Sequence, residues 1–447
     1  MDNNKYKGGG VATFVRVMLA TLLACFSVNS HAVPSFARQT SLACSACHTV
    51  FPELTSFGRN FKLNGYTMVG TPQVSQEAGV GSGGVSVDMG TPLSAMVQIG
   101  MTHLAKAEDG TQNNDVQFPQ QISLFYAGRF SEEMGAFAQL TYDQPSATTG
   151  IDNVDIRYAR SITLADKPVT YGVTVNNNPT VQDLWNSLPA WGYPFVASGS
   201  APAPAASPII GRLGQDVAGI GAYTLWNNLV YAELSFYRSS HQGQVKPDTT
   251  TDNIQGSSPY ARLAWQYGAD NGDNLMLGLT GMRVNYYRAA TGGVTGPVDT
   301  FEDRVVDAQY EHPIHQNSLV LHASFTHEGQ TLNASDLFTG ATGFNPTLKT
   351  AKVDGSYHYG NRATATLAYW NTKGDSGDYS LVYGDGTAGS YVGSPDNRGW
   401  IAELAYLPWQ NTKFTLQYTA YNKFDALPAG RKAADNNTTF LQAWLVW

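Results

Sequence analysis

Charge is scarce in this chain, cysteine scarcer, and long apolar runs end after the first thirty residues. Only 14% of the 447 residues are charged against 42% apolar, with 45 Gly and 24 Tyr. Such a composition favours many short strands and turns over helices, so the expected class is all-β. Beyond residue 30 nothing reaches the roughly 18 apolar residues that a spanning helix needs. A membrane location would therefore require a barrel, in which every backbone polar group is paired between strands.

The N-terminus does carry an export pattern. Lys5, Lys7 and Arg16 precede the apolar stretch Val17 to Val28, and Ser30-His31-Ala32 reads as a small-x-small cleavage site. Residues 1–32 are thus expected to be a signal peptide, with Val33 the first mature residue. The alternative is a lipoprotein signal at Leu22-Leu23-Ala24-Cys25, where Leu23 is a poor fit to the small residue usually found; either route exports the chain. The whole chain carries a net charge of -8, and the leader and residues 33–68 hold +2 each, which leaves -12 on residues 69–447. A small basic segment before a large acidic one excludes nucleic acid as a natural partner.

Removal of the leader also discards Cys25. The two remaining cysteines, Cys44 and Cys47, are too few and too close to build a disulfide framework. They belong to Cys44-Ser45-Ala46-Cys47-His48, the Cys-x-x-Cys-His attachment sequence of c-type haem, in which each thiol forms a thioether and the adjacent imidazole ligates the iron. Zinc would need two further ligands, and no second cysteine pair supplies them. A thioredoxin-like redox pair would open a helix within a βαβ unit, a pattern that is missing here. One covalent haem c held by Cys44, Cys47 and His48 is therefore expected. Met68 is the nearest downstream Met or His and the expected sixth ligand, since a thioether opposite imidazole raises the potential of the iron. Met96, Met101 and His103 are alternatives if the first strand faces the haem, as is water.

Around the motif stand Phe36-Ala37-Arg38-Gln39-Thr40, Phe51-Pro52-Glu53-Leu54 and Phe57-Gly58-Arg59-Asn60-Phe61-Lys62-Leu63-Asn64-Gly65-Tyr66. Over residues 34–66 the chain resembles the fused monohaem cytochrome-porins of iron-oxidising bacteria, whose signature has this order of FARQT, CxxCH, FPxL and FGRxFKLxGY. The resemblance implies oxidation of extracellular Fe(II) by a haem held inside an outer-membrane barrel, with electrons passed to a periplasmic cytochrome. Residues 33–80 are too few to bury a haem alone. Phe36, Phe51, Phe57, Phe61 and Tyr66 are candidates to wall a porphyrin, and Arg38, Arg59 and Lys62 candidates to pair with its propionates.

From about residue 92 to 447, segments of roughly ten alternating residues recur, as in membrane barrels. Val230, Ala232, Leu234 and Phe236 alternate with Tyr231, Glu233, Ser235 and Tyr237; Phe414, Leu416, Tyr418 and Ala420 alternate with Lys413, Thr415, Gln417 and Thr419. Short connections near 131–133, 166–168, 226–228, 270–273, 312–315, 360–361 and 408–411 take turns with longer ones near 107–119, 144–150, 176–215, 239–257, 286–300, 328–346, 373–396 and 423–436. Short periplasmic turns and long outer loops are the barrel rule, and the count gives about sixteen strands. The segment from Thr439 ends on the aromatic Trp447, resembling the C-terminal signal of outer-membrane barrels. The haem segment is the expected plug of the lumen. The loop through Trp185, Pro189, Trp191 and Pro194 either folds inward as a constriction or packs outside on its neighbours.

Three functions follow. The first is an outer-membrane electron-transfer protein taking electrons from an extracellular donor, Fe(II) by the resemblance, to periplasmic carriers. The second is a solute porin with a structural or sensory haem segment. The third, a periplasm-facing haem peroxidase, lacks an evident distal His-Arg pair.

Overall fold

The computed structural model describes residues 35–68, 92–108, 113–240, 252–291, 295–427 and 430–447. The expected leader, residues 1–32, and the stretch 69–91 lie outside them.

Among the described residues three short helices come first: α1 (Ser35–Thr40), α2 (Cys44–Cys47) and α3 (Ser56–Leu63). Sixteen long strands follow. They are β1 (Leu93–Leu104), β2 (Asp115–Arg129), β3 (Met134–Asp143), β4 (Thr148–Leu164), β5 (Lys167–Asn176), β6 (Val217–Trp226), β7 (Val230–Ser239) and β8 (Ser258–Gly268). The second half comprises β9 (Asn274–Tyr287), β10 (Val298–Ile314), β11 (Asn317–Leu332), β12 (Thr347–Tyr359), β13 (Ala363–Gly374), β14 (Asn397–Trp409), β15 (Thr412–Lys423) and β16 (Thr438–Val446).

Each strand pairs antiparallel with the next in the chain, and β1 closes on β16 in register from Met96↔Val446 to Leu104↔Thr438. Closure leaves no long edge with unpaired backbone groups, the condition for crossing a bilayer with strands. The strand count matches the sequence expectation, and so does the alternation of short and long connections.

Side-chain parity gives the barrel its two surfaces. On β7, Leu234 and Phe236 point outward at 51% and 47% exposure while Tyr231, Glu233, Ser235 and Tyr237 are buried. On β15, Phe414, Leu416 and Tyr418 face out and Lys413, Thr415 and Gln417 face in. Large apolar residues standing outward strand after strand make a belt that only lipid covers favourably, at about 25 cal/mol per Å² of apolar surface kept from water. The short turns use left-handed backbone: Asn227 and Asn228, both at φ 53°, stand in the three-residue connection 227–229 between β6 and β7, where Leu229 N–H donates to the Trp226 carbonyl at 2.9 Å.

The lumen is filled from two directions. The connection between β5 and β6, residues 177–216, folds inward and buries Trp185, Leu188, Ile210 and Leu213 almost completely. Of the two courses open to this loop, the inward one is observed. Leu188, Ile209, Ile210 and Leu213 share one apolar cluster with Tyr237, Tyr260, Met282 and Phe301 of the wall and with Tyr379, Tyr383 and Tyr391 of the long connection after β13. From the short-turn end, α1 to α3 enter beneath the loop.

Candidate functional site

The helical segment is seated at the short-turn, periplasmic mouth. Ser35 N–H donates to Ser94 Oγ of β1 at 2.9 Å, Gln39 Nε2 to the Ala127 carbonyl of β2 at 2.8 Å, and Cys44 N–H to Gln410 Oε1 in the β14–β15 turn at 3.2 Å. Thr55 caps α3 by accepting from Gly58 N–H at 3.1 Å, and its hydroxyl donates to the Ala46 carbonyl at 2.6 Å. Gly58 passes so near the Cys47 carbonyl that a Cβ there would overlap it. The glycine lets α3 fold flat against the Cys-x-x-Cys turn.

Cys44, Cys47 and His48 line one cavity of about 440 Å³, within the roughly 300–1,000 Å³ range of cofactor sites. Its walls are Phe36, Phe51, Phe61 and Tyr66 from the segment, Phe125 and Phe137 from β2 and β3, Trp191 and Phe195 from the inward loop, and Trp444 from β16. Four of the five aromatic residues expected to line a porphyrin do so. Phe57 does not: it stands in the first turn of α3 and is 41% exposed.

The donor chemistry suits a c-type haem. Burial pushes the Cys47 thiol up to about 11, with Cys44 beside it adding to the effect, and burial raises the Cys44 thiol as well. Both stay neutral, in an apolar setting. His48 is also held neutral by burial, and its Nδ1 lies 3.3 Å from the Pro52 carbonyl. A proton on Nδ1 donated to that carbonyl leaves the Nε2 lone pair available to a metal. The Trp444 indole N–H is buried without a hydrogen-bond partner in the same wall, a donor suited to an oxygen of a bound group.

The expected propionate partners are engaged elsewhere. Arg59 holds Glu311 of β10 and the Leu54 carbonyl. Lys62 Nζ donates to the Val181 and Asp183 carbonyls of the inward loop at 2.6 and 2.7 Å and lies 5.2 Å over the Trp191 ring. Burial is the main reason that its pKa drops to about 7, with Arg157 nearby acting in the same direction. A neutral amine has two N–H groups, one for each carbonyl. Arg38 donates to the Leu93 carbonyl.

Among the methionines and histidine considered for the sixth position, Met68 is the last described residue of the segment, half-buried and outside the cavity lining. Met101 and His103 occupy outward positions of β1, and His103 pairs with Asn114 at 2.8 Å. Met96 is buried and lines the cavity.

Across the inward loop lies a second cavity of about 260 Å³, with His322, Ser324, Thr326, Thr350, Lys352 and Asp354 on its barrel wall. The two cavities share Asn186, Pro189, Gly192 and Pro194. Glu53 joins the segment to β12 through His358 at 2.9 Å, a link with no sequence signal. The acidic loop residues are structural: Asp375, Asp378 and Asp385 accept from neighbouring backbone N–H groups, and Asp396 pairs with Lys423 at 2.8 Å. Among the described residues no group of three or more His, Cys, Asp or Glu is placed to hold a metal ion.

A closed sixteen-stranded antiparallel barrel with an apolar outer belt and an inward loop is an outer-membrane barrel of the porin type, which places the protein in the outer membrane of a Gram-negative bacterium. No family model matches the chain, and no curated protein matches it. Among solved structures it is similar to OmpF of Salmonella typhi in complex with daunomycin, at 13% identity and a TM-score of 0.47 over 79% of this chain and 97% of that one. It is similar too to an anion-selective porin from Comamonas acidovorans, at 13% identity and TM-score 0.44 over 79% and 98% of the two chains. OmpT of Vibrio cholerae gives 9% identity and TM-score 0.42 over 79% and 96%.

Proposed function

We propose that this outer-membrane barrel carries electrons across the membrane through one haem c bound by Cys44, Cys47 and His48, from an extracellular one-electron donor to a periplasmic acceptor. The observation that carries the reading is the placement of the one complete attachment motif on an apolar cavity of cofactor size, at the periplasmic mouth of a lumen that the inward loop and the haem segment occupy. When bound, the haem supplies a one-electron centre. The chain's own residues do the rest: His48 offers a neutral imidazole, the aromatic wall excludes water, and Arg59 and Lys62 hold the segment against wall and loop. Resemblance over residues 34–66 to the cytochrome-porins of iron oxidisers makes Fe(II) the proposed donor and a periplasmic cytochrome the proposed acceptor.

The barrel by itself supports the second reading, a solute porin with a structural or sensory haem segment, at least as well, because sixteen strands and an inward loop also make a diffusion pore. Liposomes containing the purified protein and a sealed-in electron acceptor separate the two. Under the first reading, external Fe(II) reduces the internal acceptor while iron and small solutes stay outside. Free passage of solutes, with no reduction that depends on haem, would establish the porin.

A further inference from the structure

We infer that Met96, on the first barrel strand, is the second protein ligand of the haem iron, so that the wall of the barrel and not the haem segment completes the site. The inference rests on the haem reading above.

It begins with parity. On β1 the residues at Ser94, Met96, Gln98, Gly100 and Thr102 face the lumen, and the alternate positions, with Met101 and His103 among them, face outward. Ser94 is the residue to which the start of α1 is bonded, so Met96, two residues along the same face, lies beside the seated segment. It is 2% exposed and lines the cavity that Cys44, Cys47 and His48 line.

Elimination among the described residues then narrows the lining. Cys44 and Cys47 are used in covalent attachment and His48 is the first ligand. Tyr66 donates to Asp155 at 2.6 Å, and Lys62 gives its N–H groups to two carbonyls. Both Asp152 oxygens are engaged, Oδ1 by Gln215 Nε2 at 3.0 Å and Oδ2 by the Thr141 hydroxyl at 3.4 Å. The thioether of Met96 has one contact of this kind, from Gln98 Nε2 to Sδ at 3.5 Å. A thioether sulfur has two lone pairs, so one remains for the iron. Thioether donors suit an electron-transfer haem because they favour the reduced iron and raise its potential. Met68, the expectation from sequence order, is outside the cavity lining.

The test uses the full-length protein, purified in detergent with its haem, and compares Met96→Leu, Met96→His and Met68→Leu with the wild type. Mass spectrometry of each first reports covalent haem, and its absence from the wild type overturns the haem reading itself. With haem attached, the wild type and Met68→Leu are expected to show the methionine-to-iron charge-transfer band in the oxidised form. Met96→Leu should lose it and titrate at a lower potential. Met96→His should give a bis-histidine spectrum, which keeps the test decisive if the leucine variant folds poorly. A haem-loaded wild type without the band, or a band that survives in Met96→Leu, overturns the assignment of Met96 and leaves haem attachment standing. Loss of the band in Met68→Leu alone transfers the role to Met68.

Discussion

Arg59 of α3 grips Glu311 of β10 with both terminal guanidinium nitrogens, at 2.5 and 2.8 Å, across 252 residues of sequence. Both side chains are largely out of solvent, so the pair is a two-pronged clamp between the N-terminal helical segment and the barrel wall. Breaking a buried pair from one side leaves the other charge uncompensated and costs about 3–5 kcal/mol. Arg59→Ala is accordingly expected to loosen the segment with the barrel still folded. Limited proteolysis of the intact protein should show faster cleavage within residues 35–68, and cleavage at the wild-type rate would mean that the clamp contributes little.

Lys62 makes the seating of the segment depend on pH. Its pKa in the folded protein is lowered to about 7, chiefly by burial, from an ordinary 10.5. An unseated, solvated Lys62 binds a proton throughout the interval between those values, whereas the seated amine does not. Linkage then makes seating more favourable as pH rises from about 7 toward 10.5, and that contribution is lost as pH falls back to about 7. Protection of the segment from protease should increase over this range in the wild type. The same series in Lys62→Met should be flatter, and identical profiles would assign the dependence to another group.

Covalent attachment should require the two cysteines. With Cys44 and Cys47 both changed to Ala, the haem mass is expected to disappear from the denatured protein, and haem that survives denaturation would contradict the motif. Because both thiols lie on a segment that the barrel receives rather than builds, the double variant should still insert as a heat-modifiable barrel on gels.

Trp185 pins the inward loop. It is 1% exposed, packs edge-on to Tyr231 with ring centroids 5.6 Å apart, lies under the Arg262 guanidinium, and donates from Nε1 to Gln266 at 3.2 Å. Trp185→Ala removes a large buried ring, a change that costs about 3–5 kcal/mol where the site cannot collapse. In planar bilayers the wild type is expected to conduct weakly and Trp185→Ala more strongly and noisily. A wild type that conducts like an open porin would remove the main argument for a plugged conduit.

The outer belt predicts its own cost. Leu234 faces lipid in β7, and Leu234→Arg should destabilise the folded barrel by about 2–4 kcal/mol near the bilayer midplane. The inward neighbour Ser235, substituted to Ala, should cost less in a denaturant titration of the barrel in vesicles.

Several features of this molecule were legible in the amino-acid order because their physical causes are local. Two-residue alternation reports the two solvents of a barrel strand, turn chemistry separates short connections from long ones, and Cys44-Ser45-Ala46-Cys47-His48 carries its chemistry within five residues. The sixteen strands and their connections could be read at that range. Other features depend on partners far away in the chain. Whether residues 177–216 fold inward depends on contacts such as Ser187 with Asp307 and the backbone of Ile209 with Glu328, which exist only once the sheet has closed. Arg59 and Lys62 are plain basic residues in sequence. The closed barrel gives one a carboxylate and the other two carbonyls, partners far away in the chain. Nearness along the chain favours Met68, whereas nearness in space is decided by the bond from Ser35 to Ser94 and by the parity of β1, which turns Met96 into the cavity and Met101 and His103 away from it. Sequence distance measures the entropy of bringing groups together, but burial and hydrogen bonding determine which groups stay together.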